Sequence, residues 1–74
     1  MKQGQRVRFL TKLGGMATPD ALTFTGFIEP NELGTIEALQ MRGTLRHYLL
    51  VKSDSGYYVP VTPGLIQPAE EDAR

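Results

Sequence analysis

Leu45-Arg46-His47-Tyr48-Leu49-Leu50-Val51-Lys52-Ser53-Asp54-Ser55-Gly56-Tyr57-Tyr58-Val59-Pro60-Val61 is the stretch that decides the fold. Leu45, His47, Leu49 and Val51 alternate with Arg46, Tyr48, Leu50 and Lys52, the two-residue period of a β-strand. Apolar groups on both faces predict a strand inside a sheet. Ser53-Asp54-Ser55-Gly56 then reads as a tight turn, because Asp and Ser side chains bond their own backbone and Gly accepts a positive φ. Tyr57–Val61 returns as the second arm of a hairpin. Pro60 has no N–H to give to a ladder, so this arm is expected at a sheet edge or a kink.

Working outward, the same period recurs. In Gln5–Leu10, Val7 and Phe9 face one side and Arg6 and Arg8 the other, and Gly14-Gly15 reads as the end of that element. Leu22–Ile28 is rich in β-branched and aromatic residues, and Gly26 within it marks a bulge or a close backbone approach. Glu29-Pro30-Asn31-Glu32 is a turn, Gly34–Gln40 a strand alternating around Ile36 and Ala38, and Leu65-Ile66-Gln67 a short last strand after Thr62-Pro63-Gly64. The fold class is therefore all-β: five to six short antiparallel strands closing a small barrel over residues 1–68. Residues 69–74, with Glu70, Glu71 and Asp72, read as an acidic disordered tail.

Composition removes several chemistries. With 74 residues the chain buries only about 60% of its unfolded surface, so its core needs a supplement. There is no cysteine and His47 is the single histidine, which excludes a disulfide framework, a thiolate metal site and a cysteine nucleophile. Neither a metal nor a cofactor is expected. Self-association or a protein partner is the remaining supplement, making a homo-oligomer the expected state. No apolar run approaches the ~18 residues of a membrane helix, and the polar N-terminus lacks a signal-peptide pattern. A cytoplasmic protein without a membrane partner is expected.

Segment by segment, Gly4-Gln5-Arg6-Val7-Arg8-Phe9, Gly34-Thr35-Ile36-Glu37, Tyr48–Lys52, Asp54-Ser55-Gly56, Val59-Pro60 and Leu65-Ile66-Gln67-Pro68 resemble the bacterial SH3-like small barrels. The likeness spans most of the chain except residues 13–32. It implies an SH3-like barrel and, by analogy, a bacterial, phage or mobile-element origin, while that fold hosts many unrelated tasks. Arg6-Val7-Arg8 and Val51-Lys52-Ser53 are also similar to segments of the plasmid-type (type II) dihydrofolate reductases. Those short chains build one NADPH-dependent active site in the pore of a homotetramer. The chain departs from them at Tyr57-Tyr58-Val59-Pro60, where that family carries a V-Q-I-Y element and a glutamine meets pterin and nicotinamide.

Three constellations are candidates for function. Arg6, Arg8, Arg46 and Lys52 interleaved with Tyr48 have the make-up of a single-stranded nucleic-acid surface. The formal net charge of zero hides a body of +2 and a tail of −2, small beside the several phosphate contacts such binding needs. Met16, Tyr57, Tyr58 and Pro60 make a second set, apolar and aromatic, suited to a protein partner. The loop Gly14–Ala21 is the third, because loops on a rigid barrel are where function gathers. His47 is expected to be a packed residue, since no serine or cysteine is placed to be its nucleophile. The reading that emerges is a non-enzymatic interaction module with no catalytic residue, nucleic-acid binding and a pore reductase being the alternatives.

Overall fold

The computed structural model of the protein describes residues 2–21, 23–39 and 48–69. Its strands are β1 (Arg6–Phe9), β2 (Leu13–Gly15), β3 (Gly26–Ile28), β4 (Leu33–Ala38), β5 (Leu49–Ser53), β6 (Tyr58–Val61) and β7 (Ile66–Pro68). A 3-10 turn, Pro63–Leu65, precedes β7. Five strands form one antiparallel sheet in the order β6-β5-β4-β1-β7, curled as a half-barrel, while β2 and β3 pair as a separate ribbon. The all-β class follows the sequence pattern. The described residues hold seven strands rather than five or six, because Leu13-Gly14-Gly15 is a strand and not a terminator. The run from Leu22 contributes only Gly26–Ile28 to the ladder.

Alternation places the core. Val7 and Phe9 of β1 are fully buried, and they meet Ile28, Ile36, Leu49, Val51, Val59, Val61 and Ile66 in one cluster fed by six of the strands. Each such side chain contributes about 1.5–3 kcal/mol by leaving water. Gly34 lets three strands approach: a Cβ there would stand 2.8 Å from the Lys52 carbonyl oxygen and 2.9 Å from the Phe9 ring. Between Ile36 and Ala38 the β4–β5 register slips by one residue, leaving Glu37 without an opposite number. Such a bulge bends its strand, which is how a sheet of short strands curls. β6 is an edge strand, as Pro60 requires. Ala69, just after β7, is buried and donates its N–H to the Arg6 carbonyl at 3.0 Å. Residues 70–74, Arg46 and His47 lie outside the described residues.

The turns are fixed by their own chemistry. Glu29–Glu32 closes with Glu32 N–H on the Glu29 carbonyl at 3.2 Å, Pro30 second and Asn31 third at φ +72°, the residue pattern of a type II turn. In the β5–β6 hairpin Gly56 takes φ +104°. These two turns are clamped together. The Glu32 carboxylate accepts from the Ser55 hydroxyl at 2.5 Å, and Asp54 N–H donates to the Leu33 carbonyl at 2.9 Å. Arg6 reaches over from β1, giving Nη1 and Nη2 to the two Asp54 carboxylate oxygens at 2.9 and 2.7 Å and Nη1 also to Thr35 Oγ1 at 2.8 Å.

Both carboxyls are held below their ordinary values. For Glu32, partial loss of water pushes upward, but hydrogen bonds from the Ser55 hydroxyl, the Glu29 and Ser55 N–H groups and the Ser53 hydroxyl together outweigh it. For Asp54 the Arg6 hydrogen bond dominates, opposed by slight desolvation and helped by the Arg6 charge. A carboxyl lowered in the folded state stabilises the fold fully above its unfolded value and progressively less as pH falls through the folded one. The urea midpoint should therefore drop as pH falls from about 5 to about 3, and the drop should shrink in a Glu32→Gln, Asp54→Asn double variant. A midpoint unchanged over that range would contradict the clamp.

Candidate interaction surface

The ribbon is attached to the sheet by glycines and one tyrosine. Gly15 of β2 pairs with Gly26 of β3, and the Tyr57 side chain lies across both. A Cβ on Gly15 would stand 2.6 Å from Tyr57 Cβ, and one on Gly26 would collide with the far end of the ring and its hydroxyl. Tyr57 thus fills the hollow that two absent side chains leave. Next to it, Met16 and Tyr58 exchange both backbone hydrogen bonds, N–H to carbonyl at 2.7 and 2.8 Å, which joins the end of β2 to β6. Leu13 and Ile28, paired across the ribbon, turn the same face into the core.

The other face of the ribbon points to solvent and carries aromatic rings. Gly14 pairs with Phe27, and the Phe24 ring occupies the space above Gly14, 2.8 Å from where a Cβ would be. Phe24 and Phe27 are therefore neighbours on one surface, 64% and 63% exposed. Lys12 Nζ sits 4.6 Å over the Phe27 ring, a cation–π contact at the rim. Strict alternation would separate residues three apart in sequence. They share a face because Thr25 N–H also bonds the Gly15 carbonyl, at 2.8 Å, so Thr25 and Gly26 oppose one residue as in a bulge. What comes close to Gly26 is the Tyr57 ring rather than another backbone.

The candidate partner set divides between surfaces. Met16 is buried at 7%, because its backbone bridges to Tyr58, and Tyr57 is turned onto the ribbon. Tyr58 and Pro60 lie on the outward side of β6, half-buried, with Lys52 Nζ 5.4 Å over the Tyr58 ring. Among the described residues the most exposed large apolar side chains are instead Phe24 and Phe27, ahead of Leu10 and Leu39. Their signal in the sequence is the charge-free run Ala21–Ile28 opposite a Gly-Gly pair.

Register brings part of the basic set together. Arg6, Thr35, Lys52 and Tyr58 stand in one row across β1, β4, β5 and β6 on the outer face. Arg6, however, is committed to Asp54, and Arg8 Nη1 donates to the Asn31 carbonyl at 3.3 Å. Tyr48 precedes β5 and is half-buried. A row with two cations, one of them ion-paired, offers a phosphate backbone little. Among the described residues no group of three or more metal-ligating side chains gathers, and no helix is long and apolar enough to cross a membrane.

The edges of the large sheet are closed to strand addition. On β6, Ser53 N–H bonds the Tyr57 carbonyl, so alternate residues Val59 and Val61 face β5, and Tyr58 and Pro60 face outward. Tyr58 is taken by Met16, and Pro60 has no donor. On β7, Leu10 N–H bonds the Leu65 carbonyl and Ala69 N–H the Arg6 carbonyl, which turns Ile66 and Pro68 outward. Ile66 N–H is bound to the Pro63 carbonyl, and Pro68 again has no donor. Prolines and short caps of this kind protect sheets from edge pairing.

Compared with protein-family models, with curated proteins and with solved structures, the chain gives no match. Its surfaces have to be read from their chemistry. Because the two rings already face water, replacing Phe24 and Phe27 together by Ser should leave the unfolding free energy from urea titration within about 0.5 kcal/mol of the parent. A loss of several kcal/mol would make them structural instead.

Proposed function

We propose that this chain is a non-enzymatic interaction module of the SH3-like type, whose contact surface is the outer face of the β2–β3 ribbon. The observation that carries this reading is the Phe24–Phe27 pair, two neighbouring rings 64% and 63% exposed, more than any other large apolar side chain among the described residues. Aromatic residues gather where contact area is needed at low entropic cost. The SH3-like reading is supported by placement. All the segments carrying that resemblance lie along the five-stranded sheet and its turn, and the stretch it leaves out, residues 13–32, is where the ribbon stands. The sheet is then the frame and the ribbon the part particular to this chain, which is where specific function resides on a shared fold.

The partner class this face fits is a protein. Around the rings the ribbon offers one cation, Lys12, and no cluster of positive charge to follow a phosphate backbone. The test is a photo-reactive phenylalanine analogue at Phe24 in cells that make the protein. Irradiation should join it to a polypeptide, a second copy included. No adduct, or adducts with nucleic acid alone, would contradict the proposal.

A further inference from the structure

We infer that the free edge of β3 pairs with β3 of a second copy, antiparallel, across a two-fold axis at Phe27. The inference rests on the interaction-module reading and names its partner. Its basis is the direction of backbone groups in the ribbon. Met16 turns both its N–H and its carbonyl to Tyr58. By alternation Gly14 faces that same side, while Leu13 and Gly15 face β3. Their partners Ile28 and Gly26 then face β2, so the N–H and carbonyl of Phe27 point away from the ribbon.

Glu29 points the same way as Phe27, but its N–H is held by the Glu32 carboxylate at 3.2 Å. The edge therefore presents one residue with one donor and one acceptor. Two copies related by a two-fold axis need no more: each Phe27 N–H meets the other's carbonyl, the closely bonded pair of an antiparallel ladder. The β6 and β7 edges, by contrast, offer no free donor among their described strand residues.

The side chains agree with the same axis. Phe27 meets its own copy, and the Phe24 rings lie on the same face on either side. Glu29 comes opposite Thr25 of the copy, so no charge faces its like, and Ala21–Ile28 carries none. Uncharged, β-prone edge segments are the ones that pair with themselves. Size sets the strength. Four rings of roughly 150–250 Å² each, about two-thirds exposed, supply on the order of 500 Å² of apolar area. A stable interface buries about 1,200 Å² or more, so the dimer is weak and reversible.

Sedimentation from about 10 μM to about 1 mM should show the mass rising from monomer toward dimer. Amide exchange at Phe27 should slow several-fold at the high end. Phe27→Asp, at an exposed position, should stay monomeric with an unchanged circular dichroism spectrum, and Phe24→Ser should weaken association several-fold. A parent chain monomeric throughout, or a dimer indifferent to Phe27→Asp with unchanged Phe27 exchange, would overturn the inference. A monomer that still cross-links from position 24 to another polypeptide would overturn the self-pairing alone and leave the interaction module standing.

Discussion

The ring of Tyr57 lying across the Gly15–Gly26 pair is the contact on which the rest of the arrangement depends. The ribbon is two strands of three residues each, too little to be stable alone in water. It persists because one face is laid against the sheet through Tyr57, Leu13 and Ile28, and because Met16 extends β2 to meet Tyr58. Both glycines are needed for the ring to lie flat across them. Once that face is fixed, Gly14, Phe24 and Phe27 have nowhere to point but outward, and the aromatic surface follows.

The same economy explains how so small a chain holds a curled sheet. One apolar residue or two from each of six strands make the core, and Gly34 allows β1, β4 and β5 to close around Phe9. Polar contacts then lock the ends: Arg6 with Asp54 and Thr35, Glu32 with Ser55. These pairs are partly exposed, so their contribution is modest; their effect is to hold two turns in register. The large sheet is protected at both edges by proline, which leaves the β3 edge of the ribbon for the self-pairing proposed above. That matches a chain whose core wants a supplement and whose cysteine-free sequence supplies none by disulfide.

Much of the sheet was legible in the sequence because its signals are local. Val7 and Phe9 alternating with two arginines, the Asp54-Ser55-Gly56 turn and Pro60 at an edge each act within a few residues. What was hidden depends on contacts between distant residues. Gly14-Gly15 reads as a terminator until the rings that need the space, Phe24 and Tyr57, are known to arrive there. Met16 reads as an exposed contact residue until its backbone is seen bridging to Tyr58. Arg6 reads as a solvent-facing arginine, since nothing near it in sequence announces Asp54. Phe24 and Phe27 fall on opposite faces by counting, and only the bulge at Thr25–Gly26 puts them side by side.

The coupling of ribbon to sheet through Tyr57 is tested most directly by residue-resolved amide exchange in a Tyr57→Ala variant, with Tyr57→Phe as the control that keeps the ring. The account predicts that Met16 and Tyr58 lose protection in Tyr57→Ala while Val7 and Val51 keep theirs, and that Tyr57→Phe behaves as the parent does. Ribbon amides that stay protected without the ring, or sheet amides that lose protection to the same extent, would contradict it.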